Sequence, residues 1–133
     1  MKVLILFAAI ILLGACASTP SIREKVAGTY AAKQGGGIVG LVFREDGMYE
    51  LYINLKKQRE DKWDIVGGEI FAETEYGYKM IFRINKDDSL TEVGNIDKDG
   101  KRKDRPKGSQ ELKSSLTYKK PKTGDNIKDH THA

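Results

Sequence analysis

Lys62-Trp63-Asp64-Ile65-Val66-Gly67-Gly68-Glu69-Ile70-Phe71-Ala72-Glu73-Thr74 decides the fold class. Trp63 and Ile65 alternate with Lys62 and Asp64, and Ile70, Ala72 and Thr74 alternate with Glu69, Phe71 and Glu73. Alternation of this kind places one set of side chains on each face of a strand. The Gly67-Gly68 pair between the two runs reads as a tight hairpin turn. The same grammar extends in both directions. Upstream, Val39, Leu41 and Phe43 alternate, and Glu45-Asp46-Gly47 turns. Tyr49, Leu51, Ile53 and Leu55 then alternate with Met48, Glu50, Tyr52 and Asn54, and residues 56–61 form a polar connection. Downstream, Glu75-Tyr76-Gly77 turns and Tyr78, Met80, Phe82 and Ile84 alternate with Lys79, Ile81 and Arg83. Residues 85–89 turn, 90–96 form a strand, and Asp97-Lys98-Asp99-Gly100 turns again.

The expected class is mainly β: an antiparallel meander of about eight short strands, open or curled into a small barrel. Gly35-Gly36-Gly37 is a loop between the first two strands, and Leu116-Thr117-Tyr118 is a closing strand. One short helical segment is expected near the C-terminus, opened by Pro106 and continued through residues 109–115. The inward set contains Trp63 together with Val39, Leu41, Phe43, Tyr49, Leu51, Ile53, Leu55, Ile65, Ile70, Tyr78, Met80, Phe82 and Ile84. Such bulk leaves little room for an enclosed ligand cavity. Phe71 and Ile81 fall on the opposite face. The pattern Gly28-Thr29-Tyr30, Phe43-x-x-Asp46-Gly47-x-Tyr49, Trp63-x-Ile65-x-Gly67-Gly68-x-Ile70 resembles the lipocalin-like domains of small bacterial lipoproteins. That resemblance implies either a binding module or a carrier of a small apolar ligand.

The N-terminus carries a different signal. Lys2 precedes an unbroken apolar run over residues 3–13. The run suits a secretory h-region and is shorter than the ~20 residues that span a bilayer. Leu13-Gly14-Ala15-Cys16 follows at once. The arrangement resembles the lipobox of bacterial lipoproteins. The resemblance implies cleavage between Ala15 and Cys16, a diacylglyceryl group on the Cys16 thiol, and often acylation of the new amine. An ordinary Ala-x-Ala site, Ala15-Cys16-Ala17, is the alternative reading. Ala17 stands where an Asp tends to retain lipoproteins at the inner membrane. The resemblance therefore implies the outer membrane, on its periplasmic face, in a cell with two membranes. The organisation read from sequence is a signal peptide over 1–15, a lipidated tether over 16–25, a β domain over 26–119 and a disordered tail over 120–133.

Composition limits the chemistry. The chain has 133 residues, 39% hydrophobic and 32% charged, with a net charge of +4. One cysteine permits no internal disulfide, so the domain rests on its own core. The two histidines, His130 and His132, lie in the tail, and no Ser-His or Cys-His pair can be placed in a core. Asn95-Ile96-Asp97-Lys98-Asp99-Gly100 has the first half of a calcium loop, but Pro106 stands where the bidentate Glu belongs. Gly35-Gly36-Gly37 lacks the Lys and Ser/Thr of a phosphate loop. No cofactor, metal or catalytic constellation is implied. Charge is uneven: residues 45–92 hold 12 acids and 7 bases, and residues 98–122 hold 10 bases and 3 acids. Lys98, Lys101, Arg102, Lys103, Arg105 and Lys107 form the candidate contact for an anionic membrane or envelope polymer. Nucleic acid is not an expected partner outside the cytoplasm. The function expected from sequence is a membrane-anchored, non-catalytic module that binds a protein, lipid surface or polymer of the envelope.

Overall fold

The structure, a computed structural model, describes residues 20–106 and 117–122. After a short helix, α1 (Ile22–Val26), come nine strands: β1 (Gly28–Gln34), β2 (Gly37–Phe43), β3 (Met48–Ile53), β4 (Lys56–Val66), β5 (Glu69–Glu73), β6 (Lys79–Ile84), β7 (Leu90–Ile96), β8 (Arg102–Asp104) and β9 (Thr117–Tyr118). Strands β1 to β8 pair with their neighbours in sequence order, all antiparallel. The mainly-β meander expected from alternation is what forms.

The sheet curls, and β7 explains how its ends meet. The first part of β7 pairs with β9, Leu90 with Tyr118 and Thr91 with Thr117. Its last part pairs with β8, Gly94 with Asp104 through Ile96 with Arg102. Between them the register against β6 shifts, leaving Val93 as a bulge. The Val93 carbonyl accepts the Arg105 N–H at 2.8 Å. Beyond β9, Lys119 exchanges two backbone hydrogen bonds with Ala31 of β1, at 2.8 and 2.9 Å. The paired strands thereby close into a ring through β9, and β8 branches off it as a flap.

The core lies on the inner face. Phe43 is its centre, with ring centroids 5.9 Å from Tyr30, 5.8 Å from Tyr49, 5.2 Å from Trp63 and 6.1 Å from Phe82. Tyr118 on the closing strand stacks edge-on against Phe82 at 5.8 Å. Val26, Ala32, Leu41, Ile70, Ala72 and Leu90 complete the buried set, and Val39, Leu51, Ile65, Met80 and Ile84 pack against it. The polar tips of two of these rings are satisfied: the Tyr30 hydroxyl donates to the Val26 carbonyl at 2.6 Å, and Trp63 Nε1 donates to the Arg44 carbonyl at 2.9 Å. Trp63 is a core residue, as alternation requires.

Four sequence expectations are corrected. Residues 22–25 are helix and not tether: Ser21 caps α1 in a reciprocal capping box with Glu24, and Val26 is buried. Residues 56–61 are strand and not connection: they pair with Tyr49 to Ile53 of β3, Lys57 bridges Glu50 of β3 and Glu60 of β4, and no apolar alternation marks them. Leu55 is not inward; Asn54 and Leu55, at φ 47° and 68°, form the two-residue turn into β4, and Ile53 beside them is 43% exposed. Lys120 is not tail: its ammonium donates to the Lys25 carbonyl at 3.1 Å and lies 5.3 Å from the Tyr30 ring centroid. The helical segment expected over 109–115, the histidines and residues 123–133 of the tail lie outside the described residues.

Candidate functional site

The basic candidates divide into two groups. Lys98 and Lys101 lie exposed in the turn between β7 and β8. That turn is built by Asp97, whose carboxylate accepts the Asp99 N–H at 3.0 Å and the Lys101 N–H at 2.8 Å. Those backbone donors, the Lys101 N–H first, hold Asp97 below the usual carboxylate range. The half calcium loop read in the sequence is therefore a hairpin turn in which the aspartate already has its partners.

Arg102, Lys103 and Arg105 are engaged within the domain. Arg102 donates both terminal nitrogens to Glu69 on β5, at 2.8 and 3.0 Å, and its Nε to Asp104 at 2.7 Å. Glu69 is held low by that guanidinium, and Arg102 is pushed up. Arg105 meets Glu92 at 2.6 Å, and Lys103 lies 3.6 Å from Asp97. To reach Glu69, β8 bends across the outer face of the sheet. Gly94 permits the bend: a Cβ there would meet the Lys103 carbonyl and lie 3.0 Å from Asp104 Cα. The six cations proposed from sequence are thus not one uniform strip. Lys98 and Lys101 face solvent, three are paired, and Lys107 lies outside the described residues, as do Ala15 and Cys16.

A second charged cluster was not visible in the sequence. Glu50 on β3 and Glu60 on β4 are direct cross-strand partners. Like charges so placed repel, and two cations offset them. Arg44 reaches Glu50 at 3.3 Å and Glu60 at 3.0 Å, and Lys57 reaches Glu60 at 2.7 Å. The Tyr52 hydroxyl donates to Glu50 at 2.6 Å and is the main reason that carboxyl sits low; Lys57 does the same for Glu60. A carboxyl pair doing acid–base work needs one member raised toward neutral pH. Here both are held ionised, which is the behaviour of an ion-pair network.

Depressions on the surface of the described residues include a groove and a notch. One, a groove of about 620 Å³, runs over the outer face of β4 and β5 past Val66, Phe71, Lys62 and Lys79 to Arg23 of α1. Val66 at its edge is 57% exposed. The other, about 430 Å³, is a notch at the α1 end lined by Pro20, Ile22, Val26, Tyr30, Ile84 and Asp88. Inside the sheet, the rings around Phe43 occupy the centre.

The chain matches no protein-family profile, no curated protein and no solved structure. Its functional reading therefore rests on its own residues.

Proposed function

We propose that this is a lipid-anchored lipoprotein of the bacterial envelope whose β domain is a non-catalytic binding module. The observation that carries the reading is the succession of Lys2, the apolar run over residues 3–13 and Leu13-Gly14-Ala15-Cys16. Cys16 holds the diacylglyceryl group, and the mature chain starts there. The start of the fold agrees with that start of the chain: Ser21 caps α1 five positions after Cys16, so little separates anchor and domain. The domain meets a protein, lipid surface or anionic polymer of the envelope through its exterior, because aromatic packing occupies the interior that a carrier of apolar ligands would use. On the loop rim, Lys98 and Lys101 are exposed cations available to such a partner. Ala17 after the cysteine favours the outer membrane where the cell has one.

The test is metabolic labelling with a clickable fatty acid in the native host. The wild-type protein should take the label and shift to its cleaved mass. Cys16→Ser should take none and stay uncleaved or leave the membrane fraction. Equal labelling of the two proteins defeats the reading.

A further inference from the structure

We propose that the barrel rests on an anionic phospholipid surface through its α1 end, an inference that builds on the lipid-anchor reading of Cys16. Three observations lead to it. The first is that α1 is fixed to the barrel. Val26 is buried, and its carbonyl accepts the Tyr30 hydroxyl. Arg23 pairs with Asp64 at 2.8 Å and lies 4.7 Å from the Trp63 ring centroid. Lys120 pins the Lys25 carbonyl from the other side. The point at which the chain enters the domain therefore cannot swing away from it.

The second observation is reach. Pro20 follows Cys16 by four residues, and four residues span at most about 14 Å. The headgroup layer on one side of a bilayer takes up roughly 6 Å of that. A lipid on Cys16 thus holds the α1 end within about one headgroup thickness of the surface.

The third is the chemistry of that end. Ile22 stands 50% exposed at the lip of the notch, a position an interfacial apolar side chain favours. Lys25 lines the same notch and Lys120 bonds its carbonyl; the exposed Lys86 sits on the turn that brings Asp88 to the notch, and the exposed Lys119 and Lys122 flank Lys120 in the chain. The carboxylates nearby include Asp64, paired with Arg23, and Glu24, Asp87 and Asp88. Glu24 already accepts the Ser21 N–H, and Asp87 accepts both the N–H and the hydroxyl of Ser89. Three of these four carboxylates already have partners within the domain, while the lysines are exposed cations, Lys120 bonded to the Lys25 carbonyl. The other end of β5 and β6 points away. There Tyr76 is 66% exposed, and a Cβ on Gly77 would touch Lys98 at 3.8 Å, so the turns at 74–78 and 97–101 adjoin. The five residues of β5 put them about 17 Å from the α1 end. Lys98 and Lys101 then face the aqueous envelope and any partner in it, not the anchoring membrane.

Lipidation consumes the chain's one cysteine, so an introduced thiol is unique in the mature protein. Lipidated protein bearing Ile22→Cys, Lys86→Cys, Tyr76→Cys or Lys98→Cys would be spin-labelled and reconstituted in vesicles of phosphatidylethanolamine and phosphatidylglycerol. Collision with dissolved oxygen should dominate at residues 22 and 86, and collision with an aqueous nickel chelate at 76 and 98. Adding Lys86→Gln and Lys122→Gln to the Ile22→Cys protein should move its label toward the aqueous reading, each charge being worth about fivefold in the equilibrium. A lipidated protein whose residue-22 label is as aqueous as residue 98 overturns the docking and leaves the anchor standing. Mass spectrometry that finds no diacylglyceryl group on Cys16 overturns both.

Discussion

Replacing Phe43 by alanine tests whether a single aromatic centre joins the two halves of the curled sheet. Phe43 ends β2, yet its ring meets Tyr30 on β1, Tyr49 on β3, Trp63 on β4 and Phe82 on β6. Truncating a buried phenylalanine costs about 3–5 kcal/mol through lost transfer energy and the void that remains. Edge-to-face and offset pairs add roughly 0.5–1.5 kcal/mol each beyond their area, although four pairs sharing one ring do not sum. Collapse is also restricted, because the surrounding rings are held by hydroxyl and indole hydrogen bonds to Val26, Glu73 and Arg44. The expected loss is therefore at the upper end, about 4–5 kcal/mol. A domain of this size has roughly 5–15 kcal/mol in all, so the variant should be marginal at 37 °C. Phe43→Leu keeps most of the volume and loses the ring geometry, at about 1–2 kcal/mol. Urea unfolding followed by Trp63 fluorescence reads both, since the one tryptophan lies 5.2 Å from the mutated ring. If Phe43→Ala loses less than about 1 kcal/mol with an unchanged m-value, the two halves do not depend on this centre.

Two further outcomes follow from the seam and the flap. Tyr30 and Tyr118 are both held neutral to about 12, chiefly by burial. Unfolded tyrosine ionises near 10, so their contribution is complete below about pH 10 and is lost as pH rises through 12. Urea midpoints should fall across that window, Tyr118→Phe should flatten the fall, and a midpoint constant to pH 12 contradicts the burial. Gly94→Ala would press a methyl group onto the Lys103 carbonyl and the Asp104 backbone, at a cost of about 1–3 kcal/mol. Faster amide exchange over β8 with the rest of the sheet protected is the expected pattern, and wild-type exchange at those amides would show that β8 does not need the glycine.

How far the sequence reveals this fold depends on which side of a strand carries the information. Where one face is buried, alternation is unambiguous: Trp63, Ile65, Ile70 and Ala72 and the Gly67-Gly68 turn lie as read. Where neither face is apolar, the signal vanishes. The first half of β4 is Lys56-Lys57-Gln58-Arg59-Glu60-Asp61, whose charges pair with Glu50 of β3 and with Arg44 before it, and Gln58 is skipped in the pairing besides. Periodic hydrophobicity cannot report a strand held in this way. The helix α1 is a different case, because its signal is written in the chain. Ser21-Ile22-Arg23-Glu24 is a capping box after a proline, and the polar composition of the segment masked it.

The charged surface was legible as composition and not as arrangement. Between residues 98 and 107 the chain reads as a block of cations, yet Arg102 finds its main acid 33 residues away on β5 and Arg105 finds one 13 residues away on β7. Neither partner is set by local periodicity. Both depend on β7 changing partners at the Val93 bulge, which turns β8 over the outer face. The one local hint was Gly94, an isolated glycine inside a strand, where close backbone approach is the usual reason. The lysines at the α1 end show the converse. Lys25, Lys86 and Lys120 are far apart in sequence, and no run of charge announces them. Lys25 and Lys120 come together because the seam strand β9 returns beside the helix that opens the domain, as the hydrogen bond from Lys120 to the Lys25 carbonyl records, and Lys86 arrives on the turn between β6 and β7 that brings Asp88 to the same notch. In a closed meander, ring closure brings together cations distant in sequence, so the α1 end gathers Lys25 from the start of the domain and Lys120 from its finish.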